Sequence, residues 1–244
     1  MLYGIISDIH GNLEALESVL DSMGSVDQLI CLGDIVGYGA NPNECCDLIK
    51  EFKTASVIGN HDMAAIGHQN LGWFNEWARS SIIWTRQNLK KRNVKFLQSH
   101  PQILKLSREI TITHGSLKDP VHEYVTDKNT ALPTIDLMKT PLCFIGHTHL
   151  SEVYFSVNPH NKLSYKNLSS GGKIETSINF RSLINCGSVG QPRDGNSKAS
   201  FGIYDSALGI VRIKKIRYNI AAAAEKILNA GMPPILAERL YLGQ

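Results

Sequence analysis

Short apolar runs alternate with helical patterns in the first sixty residues, and this alternation restricts the fold more than any other feature. Segments 2–7, 28–33 and 55–60 are apolar runs of strand length, and segments 12–23 and 42–52 between them have helical periodicity. Each helix returns the chain to the same edge of the sheet, so strands arranged in this way pair in parallel. The pattern therefore predicts an α/β protein.

The second half of the chain has apolar runs in quick succession, with few helical patterns between them. They cover 109–115, 141–147, 152–157, 182–188, 201–205 and 209–218. This spacing predicts a second, more antiparallel sheet. Residues 159–173 are expected to form a polar hairpin or loop, and 219–231 a helix capped by Gly231.

Residues 64–98 form a long, tryptophan-rich stretch with helical periodicity. We expect a helical excursion here, on one flank of the sheet. Trp73, Trp77 and Trp84 have helical spacings and are predicted to be core residues rather than a base-stacking surface. The 244 residues show no internal repeat or low-complexity linker, so we predict a single domain over 1–244.

Charge and composition disfavour membrane and nucleic-acid partners. The net charge is only +3, and the basic cluster at Lys90, Lys91, Arg92 and Lys95 is typical of a solvated helix face. No run approaches the roughly 18 apolar residues that span a bilayer, and the start does not resemble a signal peptide. The five cysteines lack CxxC spacing and are expected to be reduced, which indicates a cytoplasmic protein.

Polar clusters follow five of the apolar runs. Ligand sites in α/β proteins form beyond the carboxyl ends of strands, so we expect these clusters to meet. Singly, each residue has an ordinary explanation as a turn residue, a helix-cap neighbour or a half-buried histidine, but five such clusters together point to a metal site. The candidate residues are Asp8, His10, Asp34, Asn60, His61, Asp62, His114, His147 and His149. Asp8 and His10, like His147 and His149, are two residues apart, which in an extended segment puts both side chains on one face.

The types of ligand narrow the metal and the substrate. Aspartate, histidine and asparagine without cysteine suit divalent transition metals such as manganese, iron, cobalt, nickel or zinc, and of these we expect manganese. The candidates are too numerous for one ion, so two ions are the economical interpretation. Two such ions with only two carboxylate ligands, Asp8 and Asp34, would leave a positive centre, which favours a phosphoester substrate.

The motifs in this order resemble those of the calcineurin-like metallophosphoesterases. The motif residues are Asp8-Ile9-His10, Gly33-Asp34, Gly59-Asn60-His61-Asp62, His114 and Gly146-His147-Thr148-His149. The stretches GDIVGYGANPNE, FNEWARSSIIWTR and NCGSVGQPRDG extend the resemblance to the bacterial and archaeal predicted-phosphodiesterase branch. The resemblance implies a four-layer α/β/β/α sandwich of two mixed β-sheets flanked by helices.

The resemblance also implies roles for individual residues. Asp8, His10, Asp34 and His149 would hold the first metal, and Asp34, Asn60, His114 and His147 the second, with Asp34 bridging. A metal-bridging hydroxide would attack phosphorus. His61, as an imidazolium held by Asp62, would protonate the leaving oxygen.

The remaining expectations concern the substrate. Arg193 is as consistent with a phosphate-binding residue as with a surface arginine in a glycine-rich loop. The favoured activity is that of a phosphodiesterase or phosphatase on small-molecule or nucleotide phosphoesters. A nuclease and a non-catalytic metal-binding scaffold are alternatives, and protein phosphatase activity would need a docking surface that the sequence does not reveal.

Overall fold

In the described part of the chain, two mixed β-sheets of six strands each and eight α-helices make up the fold. The computed structural model describes residues 1–156 and 163–244. The strands are β1 (Leu2–Ile6), β2 (Gln28–Cys31), β3 (Ala55–Ser56), β4 (Ile103–Lys105), β5 (Ile110–Thr113), β6 (Leu142–Ile145), β7 (Ser151–Ser156), β8 (Ser164–Asn167), β9 (Gly172–Glu175), β10 (Arg181–Cys186), β11 (Ala199–Asp205) and β12 (Ile210–Ile216). The helices are α1 (Leu13–Met23), α2 (Pro42–Glu51), α3 (Asn60–Ala65), α4 (Glu76–Asn88), α5 (Lys91–Gln98), α6 (Lys128–Leu137), α7 (Ile220–Asn229) and α8 (Ile235–Leu242).

Each sheet combines a parallel set of strands with antiparallel neighbours. The first sheet has the order β3-β2-β1-β11-β12-β9, and β1, β2 and β3 are parallel as the alternation predicts. The second has the order β4-β5-β6-β10-β7-β8, with β5, β6 and β10 parallel. The expectation that runs 201–205 and 209–218 belong to the second sheet is wrong. They are β11 and β12 of the first sheet, because β1 pairs with β2 on one side and β11 covers its other side.

The two sheets pack face to face, and helices cover their outer faces. Between the sheets lies a core that includes Ile5 and Ile30 from the first sheet and Phe144 and Ile184 from the second. Helices α1, α2 and α5 bury their apolar faces on the first sheet, and α6 packs on the second. The four-layer α/β/β/α sandwich is therefore confirmed, and it brings the carboxyl ends of both parallel sets to one region.

The flanking segments differ from expectation in detail. Residues 64–98 hold the end of α3, a 3₁₀ turn at Leu71–Trp73, and helices α4 and α5. The prediction that the tryptophans are core residues is wrong for Trp73, which is 73% exposed, and for Trp77, which is 40% exposed. Part of the hairpin expected at 159–173 lies outside the described residues, and the described part contributes β8 and β9 to different sheets.

Two further expectations concern cysteines and membrane spans. All five cysteines are buried as free thiols in the described structure. Within residues 1–156 and 163–244, none of the helices has the length and apolar character needed to cross a bilayer.

Gly190 lets the loop after β10 approach the loop after β1, which carries site residues. A Cβ at position 190 would lie 1.8 Å from the carbonyl oxygen of Ile9. We expect Gly190→Ala to lower the free energy of unfolding by roughly 3 kcal/mol or more, measured by urea denaturation. Gly231→Ala is the control: that site is also open, and its φ of 69° belongs to a left-handed C-cap after α7, so the substitution should cost only about 1–2 kcal/mol. Equal losses would contradict the close-contact explanation.

Candidate metal centre

The polar clusters lie together where the parallel strands of both sheets end. Asp8 and His10 follow β1, Asp34 follows β2, and Asn60 follows β3; His114 follows β5, and His147 and His149 follow β6. The backbone amide of His147 donates to both carboxylate oxygens of Asp8 at 3.2 Å, which ties the second sheet to the first. The nine candidate residues predicted at strand ends are all buried, and all of them except Asp62 converge on one centre.

Left-handed backbone positions concentrate at this centre. Of the seven described non-glycine residues with positive φ, six lie here: Asp8, His10, Asp34, Tyr38, His147 and His149. The expectation of extended segments at the two i, i+2 pairs is therefore wrong, because the side chains are brought together by turns. A left-handed residue costs about 1–2 kcal/mol, and such strain is typical of functional sites.

Three overlapping groups of side chains could each hold a metal ion. They are Asp8, His10 and His149; His10, Asp34 and His61; and Asp34, His114 and His147, and within each group the donor atoms lie within 4.8 Å of one another. Asp34 Oδ2 lies 3.7 Å from His10 Nε2 and 3.4 Å from His114 Nε2. Asp34 therefore lies between the group that contains His10 and the group that contains His114. The Asn60 Oδ1 atom is 3.1 Å from His114 Nε2, which adds a neutral oxygen to the group of Asp34, His114 and His147.

Backbone carbonyls set the tautomers of four histidines. His10, His114 and His149 direct Nδ1 to the carbonyl oxygens of Val36, Leu32 and Gln191 at 3.2, 2.8 and 2.5 Å, and His147 directs Nε2 to that of His122 at 3.1 Å. A carbonyl only accepts, so each of these nitrogens carries a proton. In the neutral ring the other nitrogen has no proton, and its lone pair faces the centre.

The inward-facing nitrogens meet in pairs that need a cation between them. His10 Nε2 and His149 Nε2 are 3.2 Å apart, and His114 Nε2 and His147 Nδ1 are 3.1 Å apart. Two lone pairs at this distance repel unless a proton or a metal ion lies between them. Asp34 Oδ2 is buried with no hydrogen-bond partner among the described residues, as a metal ligand would be. The donor set therefore fits divalent metals.

The charges at the centre also indicate a cation. Burial raises the pKa of Asp8 to about 6. Burial opposes ionisation of Asp34 as well, but the charge of His114 beside it holds the pKa of Asp34 well below its usual range. Burial likewise disfavours a charged His114, yet Asp34 raises its pKa to about 9. A proton on His114 thus stabilises the carboxylate here, and a metal ion can replace it.

His61 differs from the four histidines described above. Its Nδ1 is buried without a hydrogen-bond partner among the described residues, so no carbonyl fixes its tautomer. Its ring packs at 4.4 Å from Tyr38 and 5.1 Å from Phe74, between centroids. Burial lowers the pKa of His61 to about 4, which favours the neutral ring, and the role of His61 as the proton donor stays a prediction.

Asp62 does not hold the His61 ring, contrary to expectation. Its two carboxylate oxygens accept from the backbone amides of Val36 at 3.0 Å and Gly59 at 3.1 Å. These bonds join the first turn of α3 to the loop after β2. Asp62 therefore fixes the loops that carry Asp34 and His61, and the described contacts include none between its side chain and the imidazole.

Arg193 lies at the rim of the centre. Its Nη2 donates to Gln191 Oε1 at 2.9 Å and to the Tyr38 hydroxyl at 3.5 Å. Tyr38 also contacts the rings of His10 and His61. Motif spacing gave no indication of Tyr38 or Gln191, since neither lies in a recognisable ligand pattern.

Comparison with known proteins places the chain in a family. Residues 1–207 match the calcineurin-like phosphoesterase superfamily domain, so the chain belongs to this superfamily. A protein of Methanocaldococcus jannaschii is 39% identical over 250 residues, covering 100% of this chain and 98% of the relative. The crystal structure of a metallophosphoesterase from Sphaerobacter thermophilus is similar with a TM-score of 0.89 and 37% identity, covering 100% and 99% of the two chains.

A more distant structure agrees in fold alone. A hypothetical protein from Pyrococcus horikoshii OT3 has a TM-score of 0.80 at 15% identity, with 100% of this chain and 98% of that chain covered. Members of the calcineurin-like family use divalent metals, and the aspartate and histidine clusters described above fit such a site.

Proposed function

We propose that the protein is a phosphoester hydrolase that uses two divalent metal ions and acts on small-molecule phosphoesters. The observation that carries the proposal is the pair of facing imidazole nitrogens on each side of Asp34, at 3.2 and 3.1 Å. Asp8, His10, Asp34 and His149 would hold one ion, and Asp34, Asn60, His114 and His147 the other. We propose manganese as the ions, and the same ligand set also suits iron, zinc, nickel and cobalt.

The charge of the chain's own ligands suits an anionic substrate. Bound divalent ions would act as Lewis acids and would lower the pKa of water. Asp8 and Asp34 are the only carboxylates among the eight ligand assignments, and Asn60 is neutral. The ligands therefore leave net positive charge at the centre, and phosphoryl oxygens are attracted to it. Arg193 would add a guanidinium at the rim, where it can orient a phosphate oxygen.

His61 is the residue we assign to the leaving oxygen. It shares a cluster with His10 and Asp34 and also lines the cleft that opens from the centre. Its pKa is low in the buried site, and the negative charge of a bound phosphoester would raise it. The ring can then hold a proton at the point where the ester bond breaks.

The alternatives have less support. Every residue position implied by the resemblance is filled, which argues against a scaffold that has lost its chemistry. A nuclease would need a basic groove, yet the described residues that line the cleft include neither lysine nor arginine. The basic cluster at Lys90, Lys91, Arg92 and Lys95 is exposed, and Arg92 pairs with Asp47.

A substrate screen on the metal-reconstituted protein tests the proposal. The full chain, stripped with chelator and reloaded with each metal, is assayed on p-nitrophenyl phosphate and its bis ester, cyclic nucleotides, dinucleoside polyphosphates and single-stranded DNA. We expect turnover of at least one phosphoester to rise at least about 10³-fold over the stripped protein. The control is the stripped protein taken through the same reloading steps in metal-free buffer. Failure of every metal to restore turnover would contradict the proposal and favour the scaffold.

A further inference from the structure

A cleft of about 150 Å³ extends from the metal centre. Three residues of the centre, Asn60, His61 and His147, form its inner end. The segment before α4 lines it together with His122 and Tyr124. A substrate whose phosphoryl group reaches the metals must therefore place its organic part here.

The walls of this cleft are unusually rich in planar rings. Seven of its eleven lining residues carry one, Trp73 and Tyr124 among them. Trp73 is 73% exposed and Tyr124 is 47% exposed, so both rings have free surface. Tyr124 already stacks on the His147 ring at 3.7 Å between centroids, which fixes its orientation. Large exposed aromatic surface at a cleft mouth is typical of a binding site.

The exposed tryptophan is held in place by the backbone around it. Trp73 ends the 3₁₀ turn, in which the Asn70 side chain accepts from the Gly72 amide at 2.8 Å. Arg79 Nε donates to the Leu71 carbonyl oxygen at 3.2 Å. The Trp73 ring also packs against the His122 ring, with 5.2 Å between their centroids. A pre-positioned ring loses little entropy when a flat ligand stacks on it.

The polar groups in the cleft are neutral amides. Gln69 lines the cleft, and its Oε1 is buried with no hydrogen-bond partner in the described structure. Asn75 uses its Oδ1 to cap α4 through the Ala78 amide at 2.9 Å, which leaves its side-chain N–H groups as donors. Among the described residues that line the cleft there is no aspartate, glutamate, lysine or arginine.

We propose that this cleft is a nucleobase site, so that the substrates are nucleotide phosphoesters. The proposal rests on the hydrolase function above and specifies its substrate class. A nucleobase has two apolar faces that stack on aromatic rings and an edge of donors and acceptors that amides can match. The described lining residues offer a second phosphate neither lysine nor arginine, and an alkyl chain would pair with none of the amide groups.

Binding of matched phosphonates tests the nucleobase site without turnover. The ligands are the phosphonate analogues of AMP and of ribose 5-phosphate, in which a methylene group replaces the ester oxygen. The two differ only in the base. Calorimetry on the manganese-loaded full chain should give a Kd about tenfold lower for the AMP analogue. Trp73→Ala should raise that Kd about tenfold and leave the ribose analogue unchanged.

Trp77→Ala is the matched control, since Trp77 is also partly exposed but does not line the cleft. It should preserve the preference for the AMP analogue. Equal affinities for the two analogues in the unsubstituted protein, or equal losses for both in Trp73→Ala, would overturn the nucleobase site. If no phosphoester of the screen is turned over with any metal, the hydrolase proposal fails separately, because the difference between the two Kd values is measured without catalysis.

Discussion

Asp34→Asn should remove at least one of the two proposed metal ions and lower the turnover of p-nitrophenyl phosphate by about 10³-fold or more. Asp34 Oδ2 is the atom that stands between His10 and His114, and it has no other partner among the described residues. An amide nitrogen there cannot bind a cation and adds no negative charge. Metal content by mass spectrometry and steady-state turnover measure the two effects.

The asparagine substitution is well suited to isolate the chemistry from the fold. Asp34 has a φ of 53°, and asparagine tolerates this left-handed region better than most residues. Its Oδ1 can keep the 2.8 Å bond from the His61 amide. Asp47→Asn is the control, because Asp47 pairs with Arg92 on the surface. If Asp34→Asn bound two ions and kept full activity, Asp34 would not be a bridging ligand.

The parallel strands and the ligand set could be predicted because both depend on local pattern. Each of β1, β2 and β3 is an apolar run, and each is followed by a short polar cluster. Helix α6 escaped prediction because Pro133 lies inside it, and proline usually ends a helix. The Asp127 side chain offsets this by accepting from the amides of Asn129 and Thr130 at 2.8 Å.

The assignment of strands to sheets required tertiary information. Runs 201–205 and 209–218 have ordinary strand patterns, and nothing in them distinguishes pairing with β1 from pairing with β10. The edge strands β8 and β9 are short and mostly exposed, so they lack the apolar alternation that marks a buried face.

The prediction that Trp73 is a core residue is wrong for a specific physical reason. Trp73 and Trp77 are four residues apart, which suggests one helix face. Helix α4, however, begins at Glu76 after the cap Asn75, so Trp73 precedes it in the 3₁₀ turn. The helical period therefore does not relate the two rings. Asn75 is a standard N-cap residue, and a helix that begins after it contains Trp77 but not Trp73.

The role assigned to His61 predicts a strong dependence on the leaving group. His61→Ala should lower kcat for an alkyl phosphoester by about 10²–10⁴-fold, because an alkoxide must be protonated as it leaves. The same variant should lower kcat for the p-nitrophenyl ester less than about tenfold, since that leaving group is stable as an anion. His68→Ala, at an exposed histidine, serves as the control and should change neither rate.

Imidazole rescue separates this role of His61 from a structural one. Replacing the buried ring by alanine leaves space between Tyr38 and Phe74, which contact it in the native protein. Added imidazole can occupy that space and carry a proton, so it should restore turnover of the alkyl ester. A merely structural histidine would be needed equally for both esters, because it would act on the shape of the site rather than on the leaving oxygen. Equal losses on the alkyl and p-nitrophenyl esters, with no rescue by imidazole, would assign the proton to another group.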